Sequence, residues 1–138
     1  MKNKILSVAV PCYNSQDYMR KCIDSILVGG EEVEIIIVND GSTDDTAKIA
    51  EEYKRMYPSI VKVVHKENGG HGDAVNYGIA NATGFYFKVV DSDDWLSSEP
   101  LKKVLSVLRE FAWAATKCIC SREPEHWNAN TLTLAGNT

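Results

Sequence analysis

Phe85-Tyr86-Phe87-Lys88-Val89-Val90-Asp91-Ser92-Asp93-Asp94 joins an apolar run to three carboxylates within four positions. A buried strand that ends in clustered acids is costly unless a cation neutralises them. A hard divalent ion, shared with phosphate oxygens, would do so. The stretch therefore points to a phosphate-bearing substrate held through a metal. The same juxtaposition recurs upstream. Residues 4–10 run into Pro11-Cys12-Tyr13-Asn14, Val33 to Val38 into Asn39-Asp40-Gly41-Ser42, and Ile60 to His65 into the loop from Lys66 to Gly72. Four apolar runs, each followed by a polar cluster, predict four strands whose ends carry the chemistry.

The segments between the runs have helical spacing. Residues 16–28 place Tyr18, Cys22 and Ile26 at i, i+4 and i+8, with Met19, Ile23 and Leu27 alongside. Asn14 or Ser15 is the expected cap, and Gly29-Gly30 the expected stop. A second helix is predicted from about Asp44 to Tyr57, capped by Ser42 or Thr43, burying Ile49, Tyr53 and Met56 and ended by Pro58. A short third helix runs from Asp73 to Ala82, weakened by Gly78. Pro100 opens a fourth, with Leu101, Val104, Leu105 and Leu108 at helical spacing.

Strictly alternating β and α segments imply an α/β fold: a mostly parallel sheet with helices on both faces and right-handed crossovers. Ligands of such sheets sit beyond the carboxyl ends of the strands, where all four polar clusters would meet. After Phe111 the pattern breaks down. The expected organisation is a nucleotide-binding portion over residues 1–111 and a divergent or truncated tail over 112–138.

Composition sets limits on function. The chain has 138 residues, 44% hydrophobic and 25% charged, the profile of one globular domain. A net charge of −4 argues against a general nucleic-acid binder but not against a nucleotide ligand. No apolar run is long enough to span a membrane, and the apolar start is short, broken by Ser7 and without a cleavage site. A cytoplasmic setting is expected. Cys12, Cys22, Cys118 and Cys120 read as reduced thiols, since Cys118 and Cys120, even with His126 nearby, lack the Cys-x-x-Cys spacing of a zinc site.

Each cluster has a bland reading beside its functional one. Asp91, Asp93 and Asp94 could simply cap a turn before a helix. Their place at a strand end favours Asp93 as a metal ligand, Asp91 on metal or ribose, and Asp94 as an orienting acid. Asp40 fits an Asx-turn, or an acceptor for a base N–H or a ribose hydroxyl. Tyr13 is a loop tyrosine, or a ring lying flat on a nucleobase. Gly69-Gly70-His71-Gly72 lets backbone approach a ligand, yet it fits neither the P-loop nor the Gly-x-Gly-x-x-Gly pattern. His71 and Asn76 are candidates for contact or for structure.

Taken together, these motifs resemble the family 2 glycosyltransferases, with the Rossmann-like nucleotide-sugar fold called GT-A. The matching pieces are Val8 to Asn14, Val38 to Thr46, Asn68-Gly69-Gly70 with Ala74, Asn76 and Gly78, and Asp91 to Asp94, in the family's order over residues 4 to about 110. The resemblance implies a nucleoside-diphosphate sugar donor, with a UDP-sugar foremost. It implies donor-binding roles for Pro11, Tyr13, Asn14, Asp40, Asn68, Gly70, Asp91, Ser92 and Asp93. Asp91 and Asp93 match the Asp-x-Asp motif that holds Mn2+ or Mg2+ on the diphosphate. The implied reaction inverts the anomeric centre: an acceptor hydroxyl attacks the sugar carbon while a carboxylate takes its proton. Saccharide or glycolipid acceptors, surface polysaccharide synthesis and work at the inner face of the membrane come with the resemblance.

Two departures from the family pattern stand out. Many members carry an arginine near the position of Val75. The family's general base and acceptor site lie after the Asp-x-Asp motif, and Glu123 and Glu125 match no known motif there. The general base is therefore unidentified, and the resemblance implies a fold truncated on its C-terminal side. The alternative is a catalytically incomplete nucleotide-sugar-binding module. A nucleotidyltransferase would show a basic, glycine-rich first loop, and a nicotinamide dehydrogenase a fingerprint after strand one; both are lacking.

Overall fold

The computed structural model describes residues 3–119. The tail residues Cys120, Glu123, Glu125 and His126 lie outside the described residues.

The order is β1 (Leu6–Cys12), α1 (Met19–Leu27), β2 (Val33–Asp40), α2 (Thr46–Met56), β3 (Val61–Lys66), α3 (His71–Asn81), β4 (Tyr86–Val89) and α4 (Ser98–Ile119). The strands form one sheet in the order β3-β2-β1-β4, with all pairs parallel. The alternation read from the sequence is therefore present, with helices on both faces.

The two faces can be read from β2, whose eight residues are all buried. Val33, Ile35 and Ile37 join the larger core, packed with Met19, Cys22, Ile23 and Ile26 of α1, Ile49, Ala50 and Tyr53 of α2, and Leu101 and Leu105 of α4. Ile36 and Val38 face the other way, onto Ala74 of α3. Side chains alternate along a strand, so a run of β-branched residues supplies both cores. Each such aliphatic side chain contributes about 1.5–3 kcal/mol on full burial. Gly78 has a packing reason: a Cβ there would lie 2.6 Å from the Ala9 Cβ, so α3 rests directly on β1. The residue that weakens the helix in isolation is what lets it dock.

The chain turns back on itself at β1. From β1 the sheet grows outward to β2 and β3, and then β4 adds on the opposite side. The two ladders differ in length. β1 pairs with β2 over seven positions, to Cys12 and Asn39, whereas its register with β4 ends at Ala9 and Val89. The Val90 N–H still donates to the Ala9 carbonyl at 3.0 Å. Beyond that point the two strand ends part.

Several local expectations are corrected. Asn39 and Asp40 are not turn residues but the last two of β2, held by pairing with Cys12 and Lys66. Tyr18 precedes α1 and is exposed, so the buried stripe starts at Met19. α1 and α2 have no side-chain cap bond at their N-caps, Tyr18 and Asp45; instead the Asp44 carboxylate accepts the Thr46 N–H at 2.9 Å. Met56 and Val104 are exposed, because Ala50 and Leu105 occupy the buried sides of their helices. α3 begins at His71 rather than Asp73. α4 continues past residue 111 to Ile119, where no apolar period is visible.

Candidate nucleotide-sugar site

Beyond the carboxyl ends of the strands lies an open cleft of about 480 Å3. Its walls come from all four strand ends: Pro11, Cys12 and Tyr13 after β1, Asp40 at the end of β2, Asn68 and Gly70 after β3, and Asp91, Ser92 and Asp93 after β4. Eight of the nine donor-site candidates therefore line it. Tyr18, His71 and Ala74 complete the wall.

The end of β2 is the most structured part. Asp40 and Lys66 are register partners on adjacent strands, which brings carboxylate and ammonium together. Lys66 Nζ donates to Asp40 Oδ1 at 2.5 Å and reaches Asp73 Oδ2 at 2.6 Å, with its side chain only 4% exposed. The Gly69 N–H donates to Asp40 Oδ1 at 2.8 Å, and the Gly70 N–H to Oδ2 at 3.0 Å. Asn68 Nδ2 donates to the Asp40 carbonyl at 3.0 Å. Burial pushes the Asp40 carboxyl up, but the Lys66 ammonium and the two glycine amides outweigh it and hold the group below its usual range. Gly41 makes this wrapping possible. Its φ is +70°, and a Cβ on it would meet the Asn68 amide nitrogen at 2.6 Å.

The loop after β1 acts as a clasp. Asn14 has a φ of +48°, a conformation that asparagine tolerates better than most residues. Its Oδ1 accepts the Thr43 N–H at 2.8 Å, and its own N–H donates to Ser42 Oγ at 3.0 Å. Asn14 thus joins the loops after β1 and β2 and does not line the cleft. Ser15 donates its N–H to Thr46 Oγ1 at 2.8 Å and shares a 2.8 Å hydrogen bond with Ser92 Oγ. Tyr13, at the tip, is 52% exposed and lines the cleft.

The loop after β4 has a fixed backbone and open side chains. Ser92 is buried against Ser15, Cys22 Sγ contacts the Asp91 carbonyl at 3.5 Å, and Ser25 Oγ accepts the Leu96 N–H at 3.0 Å. Asp91, Asp93 and Asp94 are all exposed, and one oxygen of each lies within 4.8 Å of the others. An all-carboxylate set this close suits a hard divalent cation such as Mn2+ or Mg2+ rather than a soft metal. Asp91 also meets His71 Nε2 at 3.0 Å, so the start of α3 reaches the acid cluster.

Cys12 and Cys22 are buried, free thiols, and burial pushes each up to about 12. They stay protonated at neutral pH and serve as packing, not as nucleophiles. Asn76 is exposed on α3 and does not line the cleft. Lys66 and Tyr18 are the residues that sequence reasoning missed. Lys66 is visible only once the β2–β3 register is known. Among the described residues, no helix is long and apolar enough to cross a membrane.

Known proteins resemble this chain in sequence and fold. The pattern of the family described as Glycosyl transferase family 2 matches residues 7–132. Glycosyltransferase GlyA of Streptococcus pneumoniae serotype 4 is 38% identical over 107 residues, covering 77% of this chain and 15% of that protein. The crystal structure of S. aureus TarS residues 1–349 with UDP-GlcNAc superposes with a TM-score of 0.67 at 34% identity, over 77% of this chain and 31% of that one. Glucosyl-3-phosphoglycerate synthase from Mycobacterium tuberculosis, solved with Mn2+, UDP and glucosyl-3-phosphoglycerate, gives a TM-score of 0.50 at 31% identity, over 64% of this chain and 33% of that one. The chain thus spans a third or less of each of these relatives. With a family match over nearly its whole length and a parallel sheet whose strand ends meet in one cleft, the chain belongs to glycosyl transferase family 2.

Proposed function

We propose that residues 1–111 carry the donor site of a glycosyltransferase that moves a sugar from a nucleoside-diphosphate sugar, foremost a UDP-sugar, to an acceptor hydroxyl with inversion. The observation that carries this reading is the meeting of Tyr13, Asp40, Asp91 and Asp93 around one cleft. The named complexes of relatives support the donor class: TarS was solved with UDP-GlcNAc, and the synthase with Mn2+ and UDP.

In this reading Tyr13 stacks on the base and Asp40 accepts its ring N–H. Asp40 Oδ1 already takes two donors and Oδ2 one, so Oδ2 retains acceptor capacity. Asn68 and Gly70 shape the wall between the base and the acids. Asp93 and Asp91 hold Mn2+ or Mg2+, with Asp94 beside them. An ion held there by Asp93 and Asp91 would supply positive charge against a diphosphate leaving group. Ser92 fixes the loop that presents these carboxylates. Taking the acceptor's proton is a separate task, for a carboxylate outside this cleft. A saccharide or glycolipid acceptor, in polysaccharide synthesis at a membrane face, fits the same reading.

Thermal shift with UDP, GDP, ATP and NADH, each with and without Mn2+, tests the proposal. Stabilisation by UDP or GDP that grows with Mn2+ is expected. Stabilisation by NADH alone would overturn it. Sugar transfer from a UDP-sugar then separates a complete enzyme from a donor-binding module.

A further inference from the structure

We propose that Lys66 is the positioning residue of the nucleoside end: by bridging Asp40 and Asp73 it fixes an acceptor-only carboxylate in the cleft and so makes the site select bases that offer a ring N–H. This deepens, and rests on, the reading of Asp40 as the group that meets the base.

Three observations carry the inference. The Lys66 side chain is nearly sealed from solvent, and the carboxylate it holds, Asp40, belongs to the cleft wall. Its ammonium is shared between a buried carboxylate at the end of β2 and one in the first turn of α3, at 2.5 Å and 2.6 Å. A surface lysine gains little from such pairing, whereas Lys66 cannot swing away without leaving the buried Asp40 carboxylate to its two amides alone; Asp73, at the exposed end of the bridge, would be met by water. Finally, the bridged elements are the two walls that Asp40 and Gly70 contribute to the cleft. One side chain therefore ties the Asp40 carboxylate, which the Gly69 and Gly70 amides also hold, to the first turn of α3.

The chemical consequence is selectivity. Lys66 and the Gly69 amide both load Oδ1, leaving Oδ2, with the Gly70 amide alone, as the oxygen able to meet a ligand. A carboxylate kept ionised has no proton to give. It accepts from an imide or lactam N–H, as in uracil or guanine, and repels the lone pair of the corresponding ring nitrogen in cytosine. Discrimination of this kind comes from leaving buried polar groups mismatched with the wrong ligand. It depends on how the carboxylate is aimed, and Lys66, with the Gly69 and Gly70 amides, holds that aim.

The test measures UDP and CDP affinity by calorimetry on the full chain, for the wild type and for Lys66→Met, Lys66→Arg and Asp40→Asn. Lys66→Met should weaken UDP by about tenfold while changing CDP far less, so that the preference for UDP collapses. Lys66→Arg, which keeps the charge, should restore most of that preference. Equal weakening of both nucleotides, or a lowered melting temperature with the UDP preference intact, would show a merely structural lysine and overturn the proposal. If Asp40→Asn leaves UDP binding unchanged, the reading of Asp40 itself fails. If Asp40→Asn weakens UDP but Lys66→Met does not, only the role of Lys66 fails. Circular dichroism reports whether Lys66→Met folds. Should it not, Lys66→Gln, which keeps a donor without the charge, decides on the same ratio: a reduced preference supports the proposal, and an unchanged one overturns it.

Discussion

The two acidic ends of the cleft are built in opposite ways. At β2 a single carboxylate, Asp40, is buried and already accepts from an ammonium and two backbone amides. At β4 three carboxylates stand exposed, and among the described residues the imidazole of His71 lies against one of them. Folding assembles the first end by itself. The second has a fixed backbone but leaves its charges for a ligand to gather. A site that must recognise a base gains from rigid acceptors, because nothing is then ordered on binding. A site that must take up and release a hydrated cation gains from accessible ones.

Replacing Asp40 by Ala should break the comparison most. It strips the acceptor from the Lys66 ammonium and from the Gly69 and Gly70 amides. Both a clear fall in urea midpoint and a loss of nucleotide binding are expected. An unchanged midpoint would mean that the β2 end is not assembled by folding. Replacing Asp93 by Ala should do the reverse: the melting temperature of the free protein holds, while the extra stabilisation that Mn2+ gives with UDP disappears. Retained metal coupling would remove Asp93 from its proposed role.

Acid should separate the ends more gently. Asp40 and Glu34 lie below their ordinary values of 3.8 and 4.5, although burial pushes both up; Lys66 and the amides outweigh burial at Asp40, and Lys62, Ser7 and Thr83 do so at Glu34. On acidification the unfolded chain therefore takes up protons first. The stability from these two groups is whole above the ordinary values and is lost as pH falls through their lower folded values. Urea titrations across that range should show a steeper acid limb for the wild type than for Asp40→Asn. Equal slopes would place the acid sensitivity elsewhere.

The fold was largely legible because four apolar runs alternate with helical spacing, and burial on both faces leaves an unbroken signature such as Val33 to Val38. What escaped was what depends on partners. Asn and Asp have low strand propensity, so Asn39 and Asp40 read as a turn; pairing with Cys12 and Lys66 overrides that preference. Lys66 itself looked like a loop lysine, since nothing in its own neighbourhood reveals Asp40 across the ladder. Helix ends misled in the same way: Tyr18 and Met56 satisfy the period but lie where the helices have left the core. Past residue 111 the reverse holds. No apolar period remains, yet Ala112, Ala114 and Ala115 favour helix intrinsically, and α4 runs on. For the site, eight of nine expected donor residues line the cleft, while Asn14 is engaged with Thr43 and Ser42.

The parting of β1 and β4 has a simple origin. On the β4 side of β1, Ile5 and Ala9 accept from Tyr86 and Val90. The next in that series is Pro11, two positions beyond Ala9. A further rung would need a hydrogen on the Pro11 nitrogen to meet the Val90 carbonyl, and proline has none. The sheet unzips there without stranding a donor. The cleft is thus not carved out of a finished core; it is a seam left open because one atom is missing from the backbone.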